Sequence, residues 1–445
     1  MAPPTRRQFL SSSSAFGMAL VAGCGRESST PSPDVDPTPV DSAYDLSVSH
    51  DIETWEKYDP DWESPRNIPA EESTLTVETV IEHLEVPWDL SFGNNGDLYI
   101  SERVGRISRY SAGQLDAVIE PDAVIDHARS IEPSGDTDWW AGGSEGGLLG
   151  IALHPNYPAI PILYAFYTYD AGDQFLNRLV YYDVTDPTEE TVILDEIPGH
   201  ERIHNGARLT FGPQNYLWIT TGDANDAEGS QQDDSLHGAV LRLQPDGTPP
   251  NETAGFTDPR IFSIGHRNPQ GISFLPDGTP IVTDHGNVGR DEVQILTAGG
   301  NYGWPEAEDE GTYTGSEFNR PLVNTGPDTA NTWAPSGAVF YTGDDVQSFR
   351  NRFLVGGLVS QRVNIVTIYA GEIPDIGGSQ YDANWLHPDF TAVTHHRFAD
   401  AFGRIRHVEE GPNGELYAIT SNRDGRGDGD FPREGDDRLV RITDS

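Results

Sequence analysis

Five short stretches of the sequence concentrate the side chains that could do chemistry. Histidine titrates near neutral pH and can take a proton from a hydroxyl, whereas the planar guanidinium of arginine pairs with carboxylates through two hydrogen bonds. These residue types, with acids and amides beside them, recur in residues 201–208, 221–226, 265–271, 284–292 and 402–406. In the last stretch Arg404 and Arg406 share one face of a predicted strand, because side chains alternate along a strand.

The elements that must position these stretches form a repeating pattern of two apolar strands joined by a turn. The turns contain Gly, Pro, Asn and Asp, and Asn-Gly or Asp-Gly supplies the positive φ values that tight hairpins need. Four clear copies occupy residues 89–100, 208–219, 271–282 and 408–419, and two looser copies occupy residues 150–166 and 349–355. Further apolar strands follow several copies, at residues 106–110, 178–183, 240–243 and 439–442.

This repetition predicts the fold. The copies begin roughly 55 to 80 residues apart, a spacing that indicates a propeller or an array, whereas the repeats of a parallel β-helix are far shorter. Six copies with several strands each predict an all-β, six-bladed β-propeller with four-stranded antiparallel blades, spanning residues 74–445. Loops of the innermost strands converge on the central channel of a propeller, so the polar stretches are expected to meet there.

The charge of the chain limits its partners. Asp and Glu number 71 against 28 Lys and Arg, which leaves a formal net charge of −43, and Lys57 is the only lysine. No basic face exists for phosphate, which excludes a nucleic-acid role. Repulsion of this size destabilises a compact chain at low salt but is screened within about 3 Å at molar salt. The composition therefore predicts a protein of a halophile, of haloarchaeal type.

The first residues read as a targeting segment followed by a tether. Arg6 and Arg7 precede a short apolar run that ends at Cys24, the only cysteine. The pair resembles a twin-arginine signal, and Cys24 lies where a lipoprotein signal carries its lipidated cysteine. We therefore expect a signal at residues 1–24, export, and lipid anchoring to the outer face of the cell membrane. Residues 25–73 are rich in Ser, Thr, Pro and Asp, which predicts a disordered tether in which Trp55 and Trp62 could dock.

The order of short motifs from residue 86 to residue 442 resembles that of the soluble glucose/sorbosone dehydrogenases that use pyrroloquinoline quinone (PQQ). The motifs are Pro87-Trp88, residues 146–150, His154-Pro155, His204 with Arg208-Leu209, Gly222-Asp223, residues 265–271, Asp291-Glu292, residues 299–305 and residues 333–336. The resemblance implies a six-bladed propeller that oxidises the anomeric hydroxyl of an aldose to a lactone. It also implies PQQ and Ca²⁺ as cofactors and an external electron acceptor.

The same resemblance implies roles for individual residues. His204 corresponds to the family's general base, and Asp223 corresponds to the acid that fixes its tautomer. Arg267 and Asn268 correspond to the residues at the quinone oxygens, where fixed donors stabilise developing negative charge. A second group contacts the cofactor or its metal: Arg404 and Arg406 receive the PQQ carboxylates, and the carbonyls of Gly286 and Asn287 bind calcium.

The sequence departs from the family pattern at several of these positions. Val359 stands where relatives carry a lysine for a PQQ carboxylate, and Glu145 and Glu228 stand where glutamines are expected. His285 and Asn287 replace a glutamine and a proline, although His285 keeps its place at the cofactor. Two carboxylates beside a tricarboxylate cofactor would weaken its binding unless protons or a metal neutralised them.

Three alternatives stay open at this point. The departures favour a non-catalytic, ligand-binding propeller of the same family, whereas the histidine, acid and arginine positions favour the enzyme. A metal-dependent lactonase would need several carboxylates around one ion, and the sequence shows no such set. The acidic loop at residues 424–430 could form a second calcium site, but in so acidic a chain a solvated loop is the simpler interpretation.

Overall fold

The computed structural model describes residues 39–125, 144–427 and 429–445. Within these ranges the chain forms six small β-sheets, four with four strands and two with five, arranged as the blades of a propeller. The predicted all-β, six-bladed fold is therefore confirmed, with a fifth strand added to two of the blades.

The first two blades follow the chain order. Strand β1 (Leu75–Ile81) belongs to the last blade and is described below. Blade 1 contains β2 (Pro87–Phe92), β3 (Leu98–Glu102), β4 (Arg106–Ser111) and β5 (Gln114–Ile119). Blade 2 contains β6 (Leu148–Leu153), β7 (Ile162–Asp170), β8 (Phe175–Asp183) and β9 (Thr191–Pro198).

Blade 3 gains a short fifth strand from the chain segment that lies between the strands of blade 4. Blade 3 contains β10 (Gly206–Phe211), β11 (Leu217–Thr221), β12 (Val240–Leu243) and β13 (Ile261–Ile264). Blade 4 begins with β14 (Pro269–Phe274), β15 (Pro280–Asp284) and β16 (Glu292–Ile295). The chain then returns to blade 3 as β17 (Gly300–Asn301), which pairs in parallel with β13, before β18 (Val323–Asn324) completes blade 4.

The last two blades complete the ring. Blade 5 contains β19 (Pro335–Tyr341), β20 (Arg352–Gly357), β21 (Val363–Tyr369), β22 (Ser379–Tyr381) and β23 (Thr391–Arg397). Blade 6 contains β24 (Ile405–Glu410), β25 (Leu416–Thr420), β26 (Leu439–Asp444) and, at its outer edge, β1. Short helical turns lie between strands: α1 (Glu310–Tyr313) and single 3₁₀ turns at Ile52–Thr54, Glu72–Thr74, Ala227–Gln231, Thr329–Asn331 and Gln347–Phe349.

Closure of the ring comes from pairing between distant parts of the chain. Strand β1 pairs antiparallel with β26, from Leu75 opposite Asp444 to Ile81 opposite Leu439. The last blade thus needs both the N-terminal and the C-terminal strand, which ties the propeller into a closed ring.

Each innermost strand carries a register shift at its first residues, where it pairs with the second strand of its blade. The six shifts lie in β2, β6, β10, β14, β19 and β24. A β-bulge bends its strand and re-aims side chains, and bulges are common beside active sites. All six bulges lie at the same end of the central channel, because the innermost strands pack side by side around it.

Apolar side chains fill the spaces between neighbouring blades. Between blades 2 and 3, for example, Leu149 and Tyr164 pack with Leu209, Ile219 and Leu241, all of them buried. Strands with alternating apolar residues bury one face against the next blade, which supplies the favourable free energy of apolar burial that holds the ring together.

Residues 39–73, here called the strap, do not form a disordered tether. They run along the propeller: Leu46 and Trp62 are buried, and the ring of Trp62 meets that of Phe340 edge to face. The hydroxyl of Tyr44 donates to Asp183, and the backbone amide of Ala70 donates to the hydroxyl of Ser348. The polar average of the segment conceals these few apolar contacts, which is why composition predicted disorder.

The remaining N-terminal predictions fall outside the described residues. Residues 1–38, with Arg6, Arg7 and Cys24, are among those the structure does not describe. In the described ranges no helix is both long enough and apolar enough to cross a membrane.

Candidate active site

The polar stretches meet at one end of the central channel, as the sequence predicts. They do so where the innermost strands begin and the second strands of the blades end, because the two strands of a hairpin share that edge. Glu145, His204, Arg267 and Arg404 precede the innermost strands of blades 2, 3, 4 and 6. Asp223 lies two residues after the second strand of blade 3.

His204 and Asp223 form a buried pair. The distance from Nδ1 of His204 to Oδ1 of Asp223 is 2.7 Å, and the two side chains are 13% and 2% exposed. Burial alone would raise the pKa of Asp223, but its hydrogen bond and charge interaction with His204 outweigh burial and lower that pKa. The carboxylate therefore stays ionised and holds the proton of the imidazole on Nδ1, which leaves Nε2 as the hydrogen-bond acceptor.

Trp304 binds the second oxygen of the Asp223 carboxylate. Its indole Nε1 donates to Oδ2 of Asp223 at 3.0 Å. The ring of Trp304 also lies 5.3 Å from the guanidinium carbon of Arg267. One aromatic side chain thus contacts both the acid that orients the histidine and the arginine beside it.

The backbone around His204 is unusual and tightly packed. His204 has a φ of 57°, in the left-handed region that non-glycine residues seldom adopt and that often occurs at functional sites. A Cβ at Gly222 would lie 1.9 Å from the carbonyl oxygen of His204, so only glycine fits there. The amide of Gly206 donates to Oδ1 of Asn268 at 3.0 Å, which ties the loop to blade 4.

Arg267 and Asn268 are held by one carboxylate. Their amides donate to Oδ2 and Oδ1 of Asp284 at 3.0 and 2.7 Å. The Nη1 atom of Arg267 donates to the carbonyls of Gly286, at 2.9 Å, and His285, at 3.2 Å. The guanidinium is therefore fixed across the loop that follows β15.

A cavity of about 200 Å³ opens beside these residues and is rich in arginine. Arg404 binds Oδ2 of Asp424 through Nε and Nη2, at 3.0 and 2.8 Å, and Arg406 lies 3.6 Å from the same oxygen. Nη1 of Arg406 also donates to Gln270 at 2.9 Å, whereas its Nε is buried without a hydrogen-bond partner among the described residues. Asp424 is thus not part of a solvated loop, as the sequence had suggested, because it is 2% exposed and paired with arginine.

The electrostatics of the cavity favour a bound anion. Burial lowers the pKa of Arg406 to about 9, and repulsion from Arg103 and Arg404 acts in the same direction against the attraction of Asp424. Burial likewise lowers the pKa of Arg103 to about 10. Buried arginines that repel one another in this way would be stabilised by carboxylates of a ligand. The residues therefore fit a ligand with several carboxylates.

Glu145 and His285 line the same cavity. Oε1 of Glu145 pairs with Nη1 of Arg426 at 2.9 Å, and Oε2 accepts the amide of His204 at 3.1 Å. Burial would raise the pKa of Glu145, but attraction to Arg426, His285 and His204 lowers it to about 2. Its negative charge is therefore compensated within the protein. Burial lowers the pKa of His285 to about 4, so its imidazole is neutral.

The two backbone carbonyls that the resemblance assigns to calcium accept hydrogen bonds from arginine side chains in this structure. The Gly286 oxygen accepts from Arg267, and the Asn287 oxygen accepts from Nη1 of Arg290 at 3.3 Å. Among the described residues no three His, Cys, Asp or Glu side chains are grouped so that they could hold a metal ion. As arranged here, the predicted ligands do not fit a calcium site, because cationic donors already satisfy them.

Of the two remaining predicted positions, one lies at the cavity and the other does not. Val359 lies on the cavity wall with 54% of its surface exposed, so a longer side chain there could reach a ligand. Glu228 is exposed in the 3₁₀ turn Ala227–Gln231 and is absent from the cavity wall, so the structure does not bring it to the site.

Sequence reasoning gave four residues no role at this site, although Trp304 lies in a family-like motif and Asp424 in the acidic loop. Arg103, Asp424 and Arg426 line the cavity, and Trp304 contacts the His204–Asp223 pair. Arg103 comes directly after β3, and Asp424 follows β25. A search of every loop after a second strand for charged residues would have found both.

The fold and the site together define a six-bladed β-propeller with a histidine–carboxylate pair beside an arginine-lined cavity. A family model described as glucose/sorbosone dehydrogenase matches residues 84–429. The chain belongs to this family and is an oxidoreductase of the sugar-dehydrogenase type, as its motifs predicted.

Characterised relatives span nearly the whole propeller. The aldose sugar dehydrogenase of Escherichia coli is 27% identical over 375 residues, covering 80% of this chain and 92% of its own. A crystal structure of a putative oxidoreductase (glucose dehydrogenase) from Thermus thermophilus is 33% identical with a TM-score of 0.68, covering 83% of this chain and 99% of that one. The PQQ-bound aldose sugar dehydrogenase of Streptomyces coelicolor is 30% identical with a TM-score of 0.66, covering 86% and 99%.

Proposed function

We propose that this chain uses PQQ to oxidise the anomeric hydroxyl of an aldose to a lactone and passes the electrons to an external acceptor. The observation that carries the proposal is the position of the His204–Asp223 pair beside a cavity lined by Arg103, Arg404 and Arg406. The pair supplies proton transfer, and the cavity suits a cofactor with three carboxylates.

In this proposal His204 is the general base. Its Nδ1–H is held by Asp223, so Nε2 accepts the hydroxyl proton of the sugar. The imidazolium that forms is stabilised by the ionised carboxylate of Asp223, which Trp304 holds in place. Asp223 and Trp304 are positioning residues, because they act on the substrate only through His204.

The arginines hold the cofactor. Arg404 and Arg406, with Arg103 and Arg426 around them, would bind its carboxylates, and Arg267 with Asn268 would stabilise negative charge at its quinone oxygens. When bound, PQQ supplies an acceptor for the hydride equivalent that leaves the anomeric carbon. Glu145 repels the cofactor less than its type suggests, because Arg426 compensates its charge. We assign calcium no role, since its expected carbonyl ligands accept from arginine.

Reconstitution tests this proposal. Apo-protein in molar salt, given PQQ, an aldose and an artificial acceptor, is expected to reduce the acceptor only when PQQ and the sugar are both present. A protein that binds PQQ but oxidises no aldose would instead support a ligand-binding propeller, and one that binds no PQQ would end the quinoprotein assignment.

Val359 offers a matched test of the cavity. Val359→Lys adds the cation that relatives carry and is expected to tighten PQQ binding about threefold to tenfold, a small gain because the position is half exposed. Val77→Lys places the same charge on an exposed position of β1 and is expected to leave the dissociation constant unchanged. Equal effects of the two substitutions would contradict the proposed PQQ position.

We further propose that the chain is exported and anchored by a lipid on Cys24 at the outer face of the cell membrane. The support is the order of Arg6, Arg7, the apolar run and Cys24 in the sequence. Cys24→Ser is expected to move the exported protein from the membrane fraction to the medium. Retention in the membrane fraction would contradict the lipid anchor.

A further inference from the structure

We propose that arginine replaces calcium in this chain. Arg267 and Arg290 donate hydrogen bonds to the backbone carbonyls of the loop after β15, so that PQQ binds without a divalent cation. The inference rests on the proposed function, because it concerns how the same cavity holds the same cofactor.

The contacts of the two arginines carry the first step. Nη1 of Arg267 lies 2.9 Å from the oxygen of Gly286, and Nη1 of Arg290 lies 3.3 Å from the oxygen of Asn287. Calcium needs about six to eight oxygen ligands at about 2.3–2.6 Å. An ion bound to these two carbonyls would lie beside two guanidinium groups, and the like charges would repel one another.

The loop is also held in a way that leaves it little freedom to form another ligand set. Oδ1 of Asp291 accepts the amide of Gly286 at 3.1 Å. Oδ2 of the same residue accepts from Thr332, Trp333 and Ala334 at 2.6, 2.6 and 3.0 Å. Both oxygens of Asp291 are therefore engaged in hydrogen bonds, which makes this carboxylate a poor candidate for a metal ligand.

A second carboxylate beside the loop is engaged in the same way. Asp284 accepts the amides of Arg267 and Asn268. The oxygens of both acids are thus engaged in hydrogen bonds within the protein.

The wall of the cavity carries a positive formal charge. Four arginines and two acids line it, which leaves a formal charge of +2: Arg103, Arg404, Arg406 and Arg426 against Glu145 and Asp424. This charge comes from arginine, so it would offset part of the charge on the three carboxylates of PQQ without a calcium ion.

The test is a PQQ titration with and without calcium. Calcium-stripped protein in molar KCl receives PQQ in the presence of either EGTA or CaCl₂, and quenching of tryptophan fluorescence reports binding. We expect dissociation constants that agree within about threefold. Binding that requires CaCl₂ would overturn the inference and leave the proposed function intact, whereas no binding in either condition would contradict both.

A substitution tests the role of Arg290. Arg290→Gly frees the carbonyl of Asn287, and glycine accepts the φ of 57° found at this position, so the variant is expected to fold. We expect PQQ binding by Arg290→Gly to become sensitive to calcium. Arg350→Gly, which removes an exposed arginine paired with Asp344, is the control and is expected to stay insensitive. An Arg290→Gly protein as indifferent to calcium as the control would contradict the replacement.

Discussion

At the scale of single residues, the site depends on how the His204–Asp223 pair is held. Both residues could be assigned from the sequence, because the family resemblance gives roles to these positions in the polar stretches. The support from Trp304 could not, since its contact with Asp223 joins positions 81 residues apart. The pairing of Glu145 with Arg426 was equally inaccessible, because it joins loops that are far apart along the chain. The sequence thus indicates which residues form the site but not the hydrogen bonds and ion pairs that hold them in place.

Trp304 provides the prediction at this scale. Trp304→Phe keeps a ring beside Arg267 but removes the donor to Asp223, and a lost hydrogen bond of about 1.5 kcal/mol corresponds to roughly a tenfold lower kcat. KM and the dissociation constant of PQQ are expected to change little, because Trp304 acts through Asp223. Trp385→Phe, which alters a tryptophan stacked on Tyr313, is the control. A change in KM with an unchanged kcat would contradict the positioning role of Trp304.

At the scale of elements, the hairpins were predicted well and the strap was not. Turn residues and alternating apolar side chains act locally, so each hairpin shows in the sequence. The strap gains its order from distant surfaces of the propeller, as Trp62 does from Phe340, and composition carries no record of such contacts. The closure between β1 and β26 is non-local as well: the sequence predicted a strand at residues 439–442 but not its partner.

The strap can be tested through its buried tryptophan. Trp62→Ala is expected to lower the free energy of unfolding by about 3–5 kcal/mol, because it leaves a cavity against Phe340. Ile68→Ala removes a side chain that is 53% exposed in the same segment and is expected to have little effect. Denaturant unfolding in molar salt measures both. Equal stability of the two variants would mean that the strap contributes nothing to the fold.

At the scale of the whole molecule, charge sets the conditions in which the propeller is stable. The formal net charge of −43 lies on a chain with 28 basic residues, many of which are committed to the site and to ion pairs. The remaining acidic surface repels itself, and only salt can screen that repulsion. Fold class and charge could both be predicted from the sequence, because each is a property of the chain as a whole.

Salt dependence follows directly. The melting temperature is expected to rise steeply from dilute buffer to molar KCl, because the Debye length falls from about 30 Å at 0.01 M to about 3 Å at 1 M. Sucrose of matched osmolarity is the control, because it reproduces the osmotic effect of the salt without screening charge. A melting temperature that is independent of KCl would contradict an adaptation to high salt.

The central claim is that His204 takes the substrate proton while the arginine cavity holds the cofactor. A single-turnover measurement tests it most directly: PQQ-loaded protein is mixed with an aldose without any acceptor, and the quinone absorbance is followed. His204→Asn suits the measurement, because asparagine tolerates the left-handed backbone at this position. The account predicts that this variant binds PQQ as the wild type does but reduces it about 10²–10⁴ times more slowly. His50→Asn, a change at a half-buried histidine of the strap that stacks on Tyr216, is expected to react like the wild type. Reduction by His204→Asn at the wild-type rate would contradict the account.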